Sequence, residues 1–287
     1  MKRILLSLAT VGAVAGVAIA SSGAFFSDAE TSTGNTFQAG TIDLQLDSEC
    51  HQWIGGVYSL CNGGNWDLNQ FTGQTFFNFD DIKPGDYGEN TISLHVDNND
   101  AWVCSQIDAK DEENTLVDPE LDLADTATTG ELGKYLHMVW WTDDGDNVYE
   151  NDETALFGGP VTFDQLLGWN TTYDTNIDEG AVVDLTLADS NLNVFAGSGA
   201  IPGASTQHIA VGWCFGDITL TPQTPGNLDP ATNPGFTCTA NQTAGYENIS
   251  QTDKISGSLA FSAIQSRNNL EYVCPEHEAS PIPSPTP

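Results

Sequence analysis

Basic residues are scarce in this chain. It has 7 Lys and Arg residues against 40 Asp and Glu residues, which gives a formal net charge of −33. Nucleic acids and anionic lipid surfaces bind basic patches, so we expect neither class of partner. An excess of one charge also repels itself, and added salt or bound cations would screen it. We therefore favour a high-salt habitat, with an acidic surface that serves only solubility as the alternative.

The common catalytic motifs are also missing. The chain has no His-Glu-x-x-His zinc motif, no Gly-x-Ser-x-Gly elbow, no Gly-Lys phosphate loop and no dinucleotide fingerprint. Its five histidines are scattered singly: His51, His95, His137, His208 and His277. We expect no catalytic activity and no organic cofactor.

Only one long uncharged run is present, and it lies at the N-terminus. Lys2 and Arg3 precede the run from Ile4 to Ala20, and the small residues of 21–24 follow it. The run is short for a membrane-spanning helix, while the order of its parts is that of a secretory signal peptide. We predict that residues 1–24 are cleaved, that the protein is secreted, and that it contacts the membrane only before cleavage.

Six cysteines in an exported chain predict disulfides rather than a zinc site. They are Cys50, Cys61, Cys104, Cys214, Cys238 and Cys274, which allow 15 pairings. Cys50 with Cys61 and Cys214 with Cys238 each bracket a turn-rich loop, so we favour these two local pairs. Cys104 with Cys274 would follow by elimination.

Apolar residues alternate with polar ones in several segments, which is typical of half-buried strands. The segments centre on Leu44, Leu94, Leu185, Val211 and Leu259. Turn-rich loops separate them, so we predict an all-β, jelly-roll-like β-sandwich over 41–274, with long loops and a few short helices. One helix is expected at 163–169, capped by Thr162. The Pro-rich residues 275–287 are expected to form a flexible tail.

The sequence near the N-terminus resembles that of a known protein family. The stretch Gly23–Leu44, which contains Ala-Phe-Phe-Ser-Asp and Asn-Thr-Phe-Gln-Ala-Gly-Thr-Ile-Asp-Leu, closely resembles the start of TasA and camelysin proteins. Residues 82–86, 213–216 and 265–269 resemble later parts of that family more diffusely. The resemblance implies a fibre subunit of a biofilm matrix or pilus-like assembly, processed by a SipW-like signal peptidase.

It also implies polymerisation by donor-strand exchange. The segment 25–40 of one copy, opening with Phe25, Phe26, Ser27, Asp28 and Ala29, would complete a sheet of the next copy, giving a head-to-tail homopolymer. Two alternatives stay open. Relatives have been catalogued as metalloendopeptidases, and a monomeric carbohydrate-binding adhesin could use an aromatic platform of Trp102, Trp140, Trp141 and Trp169.

An acidic loop follows two tryptophans at 143–153. Its carboxylates Asp144, Asp146, Glu150, Asp152 and Glu153 could wrap a calcium ion, which prefers six to eight hard oxygens. A solvated loop without a metal is the alternative. A second acidic run, from Asp108 to Asp125, lacks the alternate spacing, and we predict that it is only solvated.

Three Asn-x-Ser/Thr sequences predict acceptor sites for N-linked glycan in exposed loops. They are Asn170, Asn241 and Asn248.

Overall fold

Two antiparallel β-sheets enclose one hydrophobic core in the computed structural model of the chain. The structure describes residues 27–31, 43–68, 76–77, 81–112, 116–122, 130–168, 181–226, 228–240 and 249–275. The predicted signal peptide, Phe25, Phe26, the three predicted glycan acceptors and the tail beyond Pro275 lie outside these ranges. No helix in the described ranges is long and apolar enough to cross a membrane.

The smaller sheet has four strands in the order β1-β13-β5-β9. They are β1 (Ser27–Thr31), β5 (Ala101–Glu112), β9 (Ala181–Ala188) and β13 (Lys254–Gln265). All three pairings are antiparallel, and β13 pairs with β5 along its whole length. The first described strand and the last are therefore neighbours.

The larger sheet has the order β3-β2-β4-β10-β6-β7, with β8 also paired to β6. Its strands are β2 (Asp43–Ile54), β3 (Val57–Leu60), β4 (Tyr87–Asp97), β6 (Leu136–Asp143), β7 (Thr154–Ala155), β8 (Val161–Thr162) and β10 (Ser205–Phe215). A separate hairpin is formed by β11 (Asp217–Leu220) and β12 (Phe236–Thr239). The connections β4–β5, β5–β6 and β9–β10 pass from one sheet to the other, as they do in jelly rolls.

The core lies between the sheets and follows the predicted alternation. Leu44 and Leu94 of the larger sheet and Phe261 of the smaller sheet are buried in one cluster. Full burial of each such side chain contributes roughly 1.5–3 kcal/mol to the free energy of unfolding. The predicted all-β sandwich is confirmed, and so are the five strands expected from alternation, which are β2, β4, β9, β10 and β13.

Three short helices lie in the connections: α1 (Asp118–Asp122), α2 (Leu132–Tyr135) and α3 (Phe163–Gly168). At the start of α3, Thr162 Oγ1 accepts the backbone N–H of Gln165 at 3.1 Å, and Gln165 Oε1 accepts the N–H of Thr162 at 3.0 Å. This reciprocal pair is a capping box. The helix predicted from Thr162 onward is therefore confirmed, with Leu166 and Leu167 buried against the sheets.

All six cysteines form disulfides. The pairs are Cys50–Cys61, Cys104–Cys274 and Cys214–Cys238, with sequence separations of 11, 170 and 24 residues. These are the pairs favoured from the sequence. The longest link fastens β5 to the segment that follows β13.

A second, smaller apolar cluster covers the outer face of the larger sheet. It is built by Val139 and Trp141 of β6, Ala210 of β10, Tyr149 and Phe236. Neighbouring residues of β6 point to opposite faces, so Trp140 enters the main core and Trp141 enters the outer cluster. The hairpin β11–β12 and the acidic loop supply the cover.

Candidate functional site: the β1 edge and the acidic loop

The strand β1 forms an outer edge of the smaller sheet. Its backbone runs antiparallel to β13, with Ser27 opposite Ile264 and Thr31 opposite Ala260. Among the described strands its sole ladder partner is β13. An edge strand of this kind can leave the sheet without breaking any other strand pairing, and its departure would expose the N–H and C=O groups of β13.

The strand β13, with which β1 pairs, is held firmly in the sheet. Phe261 and Ala263 of β13 are buried in the main core, and β13 is held on its other side by β5. The eleven residues 32–42 connect β1 to β2. A chain of that length can span up to about 36–40 Å when it is extended.

The structure therefore places part of the predicted donor segment on a sheet edge. Ser27, Asp28 and Ala29 lie in β1, while Phe25 and Phe26 lie outside the described residues. In the single chain, β1 pairs with β13 of its own molecule, so the sheet edge is already filled.

The acidic loop after β6 is held in shape by two of its own carboxylates. Asp143 Oδ2 accepts the backbone N–H of Gly145 at 2.9 Å, and Glu153 accepts those of Asp144 and Glu150 at 3.0 and 2.8 Å. Gly145 has a φ of +104°, and a Cβ there would lie 3.0 Å from His208 Nε2. A glycine is therefore required at this turn.

Trp141 anchors the start of this loop. Its Nε1 donates to Asp143 Oδ1 at 3.0 Å, and its ring contacts the ring of Tyr149 edge to face, with centroids 5.6 Å apart. The loop thus leaves β6 and returns to the outer cluster within a few residues.

Three of the five predicted metal ligands come together in the loop. One carboxylate oxygen from each of Asp144, Asp146 and Glu150 lies within 4.8 Å of the other two. Glu153 uses its two oxygens on backbone N–H groups, and Asp152 lies outside the group. The spacing of acidic residues located the loop, but the path of the backbone decides which carboxylates converge.

Burial and mutual repulsion raise the pKa values of these carboxyls. Burial, followed by the charges of Asp146, Asp144 and Asp152, raises the pKa of Glu150 to about 7. Burial also raises the pKa of Asp146 to about 6, with Asp144 and Asp143 adding to it. The pKa of Glu153 is raised to about 8, again mainly by burial. The loop thus holds more negative charge than its surroundings favour.

Sequence reasoning missed that two carboxyls, those of Glu89 and Asp143, lie close together in a buried position beneath the loop. Glu89 of β4 is fully buried, and burial together with nearby Asp143 raises its pKa well above the ordinary value. The Thr91 hydroxyl lies 3.4 Å from Glu89 Oε2 and 3.3 Å from Asp143 Oδ2. Alternation places Glu89 on the outer face, but the cover over that face cannot be read from the strand itself.

The prediction of an aromatic sugar-binding platform, made for the adhesin alternative, is wrong for three of its four tryptophans. Trp102, Trp140 and Trp141 are all buried, at 6% exposure or less, so they offer no surface to a sugar. Trp169 lies outside the described residues.

The four described histidines have separate partners. His51 Nδ1 lies 2.7 Å from the Tyr58 hydroxyl, and His95 Nε2 lies 2.6 Å from Asp47. His208 contacts Ser93, and His137 lies near Asp217. Within the described ranges, the one set of three potential metal ligands contains no histidine.

No protein-family model matches the chain, and no curated protein matches it. The resemblance to TasA and camelysin proteins stays a prediction from the sequence.

Proposed function

We propose that this chain is a secreted structural subunit of extracellular or cell-surface fibres, assembled when β1 of one copy pairs with β13 of the next. The observation that carries the proposal is the position of β1. It is an edge strand whose partner in the described sheets is β13 alone, and an eleven-residue connection separates it from β2.

Exchange between copies would preserve the contacts that β1 makes within one copy. The same backbone groups of β13 would be paired in both states, so the change in enthalpy is small and a long chain of copies is accessible. A contact between the front of one molecule and the edge of another is heterologous, and such contacts build open filaments when the rotation does not close. Removal of the signal peptide would free the segment to make that contact.

Further support comes from the disulfides and from the placement of the described histidines. Three disulfides suit a chain that folds outside the reducing cytosol. The described residues offer no convergent histidine site that would favour a peptidase.

Two truncations of equal length test the role of the segment. We compare the mature chain that begins at Phe25 with a chain lacking residues 25–36 and a chain lacking residues 276–287, each by negative-stain electron microscopy. Fibres should vanish only when 25–36 is removed. Fibres that survive this deletion would contradict the proposal.

A cysteine experiment separates exchange from docking within one chain. Ala29 and Ser262 are register partners, and the six native cysteines are all paired. One preparation carries Ala29→Cys and another carries Ser262→Cys, and the two are mixed under assembly conditions and then oxidised. A disulfide-linked dimer is expected, since opposed residues on paired strands are close enough to bridge.

The matched control mixes Ala29→Cys with Lys254→Cys, which lies at the far end of β13. It should give no dimer. The double variant Ala29→Cys/Ser262→Cys should form a cross-link within the chain before assembly and then fail to form fibres. Fibres from that locked monomer would show that β1 stays in its own sheet and that assembly uses another surface.

A further inference from the structure

The acidic loop brings three carboxylates together, and of these Asp146 also accepts the backbone N–H of Val148 at 3.0 Å through Oδ1. Asp143 and Glu153 accept backbone N–H groups and fix the course of the chain. Asp144, Asp146 and Glu150 then point together, with one oxygen of each within 4.8 Å of the others. Like charges at this distance repel, so an arrangement of this kind needs a compensating positive charge.

Glu150 supplies a second observation. Its side chain is 2% exposed, and Oε1 finds no hydrogen-bond donor among the described residues. A buried carboxylate oxygen without a donor costs free energy unless it meets a cation. Asn147 Oδ1, in the same loop, is also buried without a donor.

Among the described residues, no salt bridge joins a basic side chain to Asp144, Asp146 or Glu150. His208 lies against the loop at Gly145, but burial lowers the pKa of its ring and so favours the neutral form. The described salt bridges of lysine join Lys83 to Asp81 and Lys134 to Glu131, and neither pair lies in the loop. Since protein cations are so few in this chain, a cation that compensates the ionised cluster would come from solution.

We propose that Asp144, Asp146 and Glu150 bind a calcium ion. Oxygens bound to one Ca²⁺ lie about 2.3–2.6 Å from it, so two of them can be nearly 5 Å apart, which suits the observed spacing. Calcium accepts the irregular geometry of a loop, and main-chain oxygens and water can complete its six to eight ligands. Magnesium needs a tighter octahedron and gives up water reluctantly.

The ion would fasten the cover of the larger sheet. Glu150 forms a β-bridge with Gln223, and Asn151 N–H donates to the Gln223 carbonyl at 2.9 Å. Tyr149 N–H donates to the Pro234 carbonyl at 3.0 Å on the other side. A cation held at Glu150 therefore joins the acidic loop to the segment that leads into β12. This inference does not depend on fibre assembly.

Two aspartates of the same loop make a matched pair for the test. Asp144 and Asp152 are both exposed, but only Asp144 belongs to the cluster. We compare the wild-type protein with Asp144→Asn and Asp152→Asn, all freed of metal and kept in molar sodium chloride, which screens non-specific attraction to the acidic surface. Calorimetric titration with calcium chloride measures affinity and stoichiometry.

One ion per chain is expected for the wild type and for Asp152→Asn, with affinity weakened more than about tenfold in Asp144→Asn. Saturating calcium should raise the melting temperature of the first two proteins by about 5 °C. Magnesium at the same concentration should give a smaller shift. Equal weakening in both variants, or binding of several ions without saturation, would overturn the proposal.

Terbium luminescence gives a readout that does not depend on stability. Excitation of Tyr149 and Trp141 should sensitise a bound terbium ion, because Tyr149 adjoins Glu150 and contacts Trp141. The signal should be lost in Glu150→Gln and displaced by calcium in the wild type. A signal that persists in Glu150→Gln with native circular dichroism would count against this assignment.

Discussion

Asp111 shows how strongly an environment can act on one residue. It lies near the end of β5, is fully buried, and accepts the Gly133 N–H at 2.6 Å through Oδ2. Burial raises the pKa of Asp111 to about 7, with the nearby charges of Asp164 and Glu131 adding to it and Lys134 opposing it. The prediction that the run from Asp108 to Asp125 is only solvated is therefore wrong for Asp111, and also for the fully buried Glu120.

The raised pKa makes the stability of the fold depend on pH. Because folded Asp111 holds its proton up to a higher pH than the unfolded chain does, stability is lost as the pH rises from about 4 to about 7. Asp111→Asn should remove this loss and stabilise the protein at pH 8 by up to about 4 kcal/mol, with little effect at pH 4. Urea unfolding at both pH values measures the difference.

Asp108→Asn is the matched control, since Asp108 lies on the same strand but is exposed. Its effect on the free energy of unfolding should be small and nearly equal at the two pH values. A similar pH-dependent gain from Asp108→Asn would show that net charge, rather than burial of Asp111, is responsible.

At the scale of elements, alternation predicts a strand only where one face is buried. It located β4 because Ile92, Leu94 and Val96 point into the core. It did not locate β6, whose two faces are both apolar because a second cluster covers the outer one. The polar strand β1 has no alternation either, and its extended form comes from pairing with β13.

The same limit applies to the candidate site. The sequence predicted an acidic loop that could bind calcium, since acidic residues at close spacing suit oxygen-loving cations, and three of its five proposed ligands converge in the structure. It could not exclude Glu153, because hydrogen bonds from the N–H groups of Asp144 and Glu150 depend on how the loop folds back.

The disulfides differ in how far along the chain they reach. Cys104–Cys274 closes a loop of 170 residues, whereas Cys50–Cys61 closes one of 11. In the chain-entropy description, the longer loop gives the larger restriction of the unfolded state, about 5 kcal/mol against about 3 kcal/mol. Cys104→Ser/Cys274→Ser should therefore lower the urea midpoint more than Cys50→Ser/Cys61→Ser.

All four of these cysteines are buried, so lost packing is similar in the two double variants. The difference between the two urea midpoints then reports the effect of loop length on stability. An equal or reversed order would mean that native contacts around each pair, and not the unfolded chain, dominate the effect.

At the scale of the whole molecule, the excess of acidic residues is the feature with the widest effect on stability. Loss of Lys2 and Arg3 with the signal peptide would leave 5 basic against 40 acidic residues, a net charge of −35. Several carboxyls inside the fold, among them Glu89, Asp111 and Glu150, have raised pKa values because burial disfavours their charged forms. We therefore expect solvent cations to act in two ways, by screening the surface and by binding at the acidic loop as proposed above.

Screening alone should be visible in the melting temperature. The Debye length falls from about 10 Å at 0.1 M salt to about 3 Å at 1 M, so repulsion between exposed carboxylates weakens over that range. With divalent ions chelated, we expect sodium chloride to raise the melting temperature by on the order of 5 °C across it. Sucrose at equal osmolality stabilises by exclusion without screening charge and is the control. A flat response to salt, or one that sucrose reproduces, would mean that self-repulsion contributes little and that the acidic surface serves solubility alone.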